Sequence, residues 1–149
     1  MTESTIDPRR KKVVDAATSR IGESNDTEYW QDTLPGLPES DYPKDWCGGF
    51  ALWAIHQAGL GKNLNWKIGS GFLIPNLSFT AHPQPGDIAY FDHNQHHAVV
   101  TGVHGTSVDT VSGNGLGGKV SASTIPMASA TAYFSLDPLL RKAGPTSVA

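Results

Sequence analysis

Apolar positions in the first half of the chain recur at helical spacing. Asp7-Pro8 is a helix-start pair, with Asp as N-cap and Pro at the first helical position. Val13, Val14, Ala17 and Ile21 follow on one face until Gly22 ends the run. Residues 23–44 carry Gly, Pro, Asn and Asp throughout and read as a long loop with a short turn at Tyr29-Trp30. Asp45 is placed to cap a second helix from Trp46 to about Ala58, stopped by Gly59. Its residues Cys47, Phe50, Ala51, Ala54, Ile55 and Ala58 share a face, so the helix is expected to be buried. Residues 60–84 are mixed, with a helical turn predicted between Ser70 and Leu77 and broken by Pro75.

From Pro85 the period changes to two. Residues 87–91, 97–103, 107–111 and 131–136 read as strands, with a short further strand around 119–121 and Gly-rich turns at 113–118. Helices first and an antiparallel sheet after is an α+β layout. A chain of 149 residues is one domain by length, with a core over about residues 8–137 and a polar tail from Arg141.

Composition narrows the classes. A formal net charge of -3 gives no reason to expect nucleic-acid binding, and the run Arg9-Arg10-Lys11-Lys12 reads as the solvated side of the first helix. No stretch approaches the ~20 apolar residues of a membrane span. One cysteine rules out an intrachain disulfide. The polar start, Met1 to Asp7, lacks the apolar core of a secretory signal, so the chain is expected to be made in the cytoplasm.

That one cysteine carries the candidate chemistry. Cys47 opens the second helix in Trp46-Cys47-Gly48-Gly49-Phe50, where the helix N-terminus is expected to lower its pKa and leave its own N–H free for an oxyanion. Gly48 and Gly49 each weaken a helix by roughly 1 kcal/mol relative to Ala, which suits a close approach by substrate or by a facing strand. The competing reading of Cys47 is a small buried hydrophobe. His97 opens a strand and is a candidate base, provided that its ring faces Cys47. Asn114, after Ser112-Gly113, is either the group that orients His97 or a turn residue in the left-handed conformation. Trp46, Gly48 and Ser112, next to these residues, are the candidate substrate contacts. His93, His96 and His97 offer a metal-binding alternative, set against a segment that reads as a hairpin loop rather than a helix.

In these residues the chain resembles the CHAP amidase family, within the wider NlpC/P60 clan of papain-like peptidoglycan hydrolases. The pieces are Trp46-Cys47-Gly48-Gly49-Phe50 with Trp53, Gln57-Ala58-Gly59, Pro85-Gly86-Asp87-Ile88 with Tyr90-Phe91, His97-Ala98-Val99-Val100, and Gly113-Asn114, in the family's order and spacing. The resemblance implies a papain-like core, with Cys47 as nucleophile, His97 as base and acid, and Asn114 as third member. His96 is then the neighbour of His97 on the opposite strand face. Several family members carry a carboxylate where this chain has Ser112, so that charge is missing here.

The implied activity is cleavage of a peptidoglycan amide bond through an acyl-enzyme by a monomer, with no cofactor and no metal. The alternatives are a catalytically silent wall-binding domain and the histidine-based metallohydrolase. Reaching the wall would need lysis or dedicated secretion. A secreted antibacterial protein of this kind would have an immunity protein as partner.

Overall fold

The computed structural model describes residues 7–67, 71–114 and 118–145. In chain order the helices are α1 (Pro8–Thr18), α2 (Thr27–Thr33), α3 (Cys47–Gln57), α4 (Leu73–Asn76) and α5 (Asp137–Ala143). The strands are β1 (Ser78–Phe79), β2 (Ile88–Phe91), β3 (His96–His104), β4 (Ser107–Ser112), β5 (Ser121–Pro126) and β6 (Ala132–Ser135). The fold is α+β, as the change of period at Pro85 predicts. The strands form one antiparallel sheet in the order β1-β6-β2-β3-β4-β5.

Helix α1 begins as its sequence dictates, with the Asp7 side chain accepting from the Arg9 backbone N–H and Pro8 in the first turn. Helix α3 is buried nearly all round, and its apolar residues form the main core with α1, α2 and one sheet face. That face contributes Ile88, Val99, Val111 and Phe134. A smaller cluster of Ala89, Ala98, Val100, Val108 and Tyr133 lies on the other face. No described helix is long and apolar enough to cross a membrane.

Four readings are corrected. The stretch 23–44 is not all loop: Thr27–Thr33 is helical, because Tyr29 and Trp30 are fully buried and fix it against α3. The strand expected at 119–121 starts later and runs over Ser121–Pro126, paired along its length with β4. The core extends past residue 137, since α5 buries Leu139 and its first residue joins an ion pair. The basic run is not uniformly solvated, because Arg10 is buried. The expected turn within 113–118 falls partly outside the described residues.

The burial of Arg10 explains the segment Pro85-Gly86-Asp87. Its guanidinium donates to Asp87 at 2.6 Å, to the Pro85 carbonyl at 3.1 Å and to Asp137 at 2.8 Å. Asp87 accepts in addition from the Gln84 and Leu136 backbone N–H groups. Gly86 has φ 94°, and a Cβ there would crowd the Arg10 backbone and Leu136, so only glycine lets α1 come this close. One charged knot thereby ties α1, the entry to β2 and the junction of β6 with α5.

Removing Asp87 strands a buried cation and leaves two N–H groups unpaired, whereas Asp137 is half exposed at 49%. Urea unfolding should therefore rank Asp87→Ala as worst, at roughly 3–5 kcal/mol, then Arg10→Met, with Asp137→Asn below about 1 kcal/mol. A loss for Asp137→Asn equal to that for Asp87→Ala would contradict this account of the knot.

Candidate active site

Cys47 is the first residue of α3, and the first intrahelical bond runs from the Phe50 N–H to the Trp46 carbonyl. The N–H groups of Cys47, Gly48 and Gly49 are therefore free of intrahelical bonding. Trp46, not Asp45, occupies the N-cap position, and it makes no side-chain cap bond. Asp45 is exposed and lines the mouth of a cleft of about 310 Å³. Cys47, Gly48, Trp66, Leu73, Tyr90, Asp92, Gln95, His97 and Phe134 also line this cleft.

Across it, His97 is the second residue of β3, one later than its expected place at the strand's start, and pairs with Tyr90 of β2; its Nδ1 stands 3.8 Å from the Cys47 Sγ. Both residues are only 5% exposed. Strand alternation sends His96 to the other side, where it packs on Phe91, so the doublet cannot converge on one ion. His93 is exposed in the turn before β3. Among the described residues no three His, Cys, Asp or Glu side chains gather in a metal-binding group.

Apolar surroundings govern the titration of the pair. The His97 ring sits among Trp66, Phe72 and Tyr90, with centroids 5.4, 6.2 and 5.2 Å away. Burial and then the neighbouring His96 push its pKa down to about 4, against the Gln95 carbonyl, which favours the protonated ring. Burial likewise pushes the Cys47 thiol up, the reverse of what the helix N-terminus alone implies. The backbone N–H groups of His97, Gly48 and Cys47 pull it down, while Asp45 adds to the rise. The resting pair is thus thiol and neutral imidazole, and the thiol donates to the Gln95 carbonyl at 3.8 Å. Gln95 has φ 52°, the left-handed geometry that turns its carbonyl toward Sγ.

The remaining sequence candidates divide. Gly48 lines the cleft, and its reason for being glycine is Trp66, whose ring a Cβ would overlap. Gly49 makes the same room for Trp30, with a Cβ falling 2.6 Å from its ring. An indole, rather than a strand, faces each of them.

Trp46 is a core residue, stacked on Tyr29 and packed over Gly113, and does not line the cleft. Ser112 is also absent from the cleft lining. It follows Val111, which faces the helices, so alternation turns Ser112 to the opposite face. Asn114 is not brought to His97: its amide donates to the Lys44 carbonyl at 3.4 Å, and its φ of 53° is that of a turn residue. Of the two readings left open for Asn114, the geometry is that of the turn. Sequence reasoning did not find Trp66, Tyr90, Asp92 and Gln95. The period-two run carried a signal for Tyr90 alone, which lies on the helix-side face like Ile88.

The α+β fold and the Cys–His pair at the mouth of a buried helix define a class of domain, and a comparison names it. The chain belongs to the CHAP domain family, whose family model matches residues 38–114, just over half of the chain. CHAP domains are typically hydrolases acting on peptidoglycan. Comparison with curated proteins and with solved structures found no match.

The depressed imidazole pKa has a consequence for stability. In the unfolded chain His97 takes up its proton near its ordinary value of 6.5, and in the folded chain only near 4. The stability contributed by the neutral ring is complete above pH 6.5 and is lost as pH falls toward 4. Relative to a His97→Gln variant, the wild type should lose roughly 3 kcal/mol between neutral pH and pH 4 in urea titrations. Parallel curves for the two proteins would contradict the burial argument.

Asn114 gives a second test. Its left-handed backbone predicts that Asn114→Gly keeps both melting temperature and turnover, and that Asn114→Ala loses roughly 1 kcal/mol of stability. Loss of turnover in a fully stable Asn114→Gly protein would return Asn114 to the site.

Proposed function

We propose that this domain is a papain-like cysteine hydrolase that cuts an amide bond of peptidoglycan. The bond is either the N-acetylmuramoyl-L-alanine linkage or one in the stem peptide or cross-bridge. The reading is supported chiefly by the 3.8 Å approach of Cys47 Sγ to His97 Nδ1, at an open cleft in a family of wall hydrolases.

Cys47 Sγ attacks the carbonyl carbon as its proton passes to His97 Nδ1. The oxyanion is received by the free N–H groups of the first turn of α3, chiefly those of Cys47 and Gly48. The imidazolium then gives that proton to the amine nitrogen as the C–N bond breaks, leaving a thioester. Water surrenders a proton to Nδ1 and attacks the thioester. Sγ departs and takes the proton back, which restores both groups.

Because the resting pair is neutral, the proton transfer accompanies attack instead of preceding it. The ring is held by aromatic contacts in place of a polar third residue, so the machinery is a dyad. Delivery to the wall follows lysis or dedicated secretion in this reading, and an immunity protein that fills the cleft is the expected partner of a secreted form.

Release of muropeptides from purified walls, followed by mass spectrometry, tests the proposal and identifies the bond. Cys47→Ala and His97→Ala should each lower the rate by at least ~10³ while remaining folded. His96→Ala should change it by less than about threefold, since its ring faces away from Sγ. A thiol-blocking reagent should abolish activity and a chelator should spare it. Wall lysis by Cys47→Ala at the wild-type rate would overturn the proposal.

A further inference from the structure

A line of rings runs across the sheet from the site toward its edge. His97 pairs with Tyr90, Ile88 of the same strand pairs with Phe134, and Phe134 pairs with Phe79 of the short edge strand β1. Residues directly opposite, or two apart on one strand, share a face, so these rings all lie on the side toward the helices. Their centroids step by 5.2 Å from His97 to Tyr90, 6.3 Å to Phe134 and 4.7 Å to Phe79. Helices α1 and α3 pack over β3 and β4. Beyond them Tyr90 and Phe134 line the cleft, and Phe79 is 70% exposed.

A lone hydrophobe in water needs no explanation. Phe79 is not alone, because its ring lies against a cleft wall and carries that wall out to the sheet edge. The stretches that build this ledge are also uncharged. No Asp, Glu, Lys or Arg occurs between Lys67 and Asp87, or between Lys119 and Asp137. An aromatic face without charge suits a neutral ligand that has a flat apolar side. In peptidoglycan the N-acetylated sugars are that ligand: the C–H groups on one face of a pyranose ring meet the negative face of a π-system. The ionised groups of a stem peptide find no charged side chain to pair with in either stretch.

We infer that Phe79, backed by Phe134, is a stacking platform for a sugar of the glycan strand whose stem peptide lies in the cleft. The inference rests on the reading of this cleft as the site of a peptidoglycan hydrolase and adds a subsite to it. Three strand spacings separate β1 from β3, roughly 14 Å across the sheet, so the sugar held here stands away from the scissile bond. The site thus takes stems still attached to glycan in preference to free peptides.

Phe79 also shields Phe134, and the test separates the two roles. The Cys47→Ala protein is titrated calorimetrically with a disaccharide-linked stem peptide and with the same peptide free of sugar. The linked ligand should bind at least about fivefold more tightly. Adding Phe79→Ala or Phe79→Leu should cut that preference to less than about twofold, since leucine covers Phe134 but offers no π-face. Phe79→Trp should keep it.

Equal binding of the two ligands, or a preference that Phe79→Leu retains, overturns the inference. Equal weakening of both ligands in Phe79→Ala overturns it too, as the mark of a peptide contact, and so does a dimer in sedimentation that Phe79→Ala dissolves. Hydrolysis of the same ligands by the protein with Cys47 intact reports separately on the hydrolase reading. Turnover without a sugar preference sinks the platform alone, whereas preference without turnover sinks the hydrolase reading and leaves the platform standing.

Discussion

A guanidinium held out of water at the start of the chain has to be satisfied wherever the chain goes next, and the route of this fold is built around that demand. Arg10 can be buried only because Asp87, the Pro85 carbonyl and Asp137 converge on it from segments far along the sequence. Replacing such a pair by apolar residues of similar size is often neutral or stabilising, so its value is not simple strength. It forbids alternatives: any packing that moves α1, slides β2 or releases α5 leaves a bare charge in the core. Since β2 is the strand against which β3 registers, that constraint reaches the site by fixing His97 opposite Tyr90.

Within that frame the titration of Cys47 and His97 is set by what surrounds the pair more than by its members. The helix N-terminus supplies N–H groups to Cys47, but loss of water outweighs them and the thiol stays protonated. Three aromatic rings hold the imidazole and at the same time keep it neutral. One set of contacts thus both orients the imidazole and tunes its titration. Asn114 takes a left-handed turn geometry and spends its amide N–H on the Lys44 carbonyl.

The sequence discloses whatever a short-range pattern can encode. Periodicity finds α1, α3 and the strands, and the parity of a strand decides between His96 and His97. Cys47 and His97 are legible because each lies at the start of a regular element, the first residue of α3 and the second of β3, whose direction is predictable. What escapes is set by contacts between distant segments. Arg10 looks like part of a basic face until Asp87 and Asp137 are folded against it. Trp66 lies in a stretch with no period, and only the notch at Gly48 gives it a seat. Asn114 was open to two readings because a turn and a catalytic amide use the same residue type, and the choice lies in a backbone angle that sequence does not display.

The strand order has a consequence in time. β6 is the last described strand in sequence, yet it lies between β1 and β2, one place in from the sheet edge. A ribosome delivering this chain from its first residue produces Cys47 and His97 long before β6 and Asp137 are available. Until then β2 has a bare edge, and Arg10 lacks one of its acids. Non-local pairings of this kind are assembled late and slowly. The Cys47 thiol and the His97 imidazole therefore reach their final setting only as the last described strand slots in, so a growing or truncated chain carries both residues in an unfinished sheet.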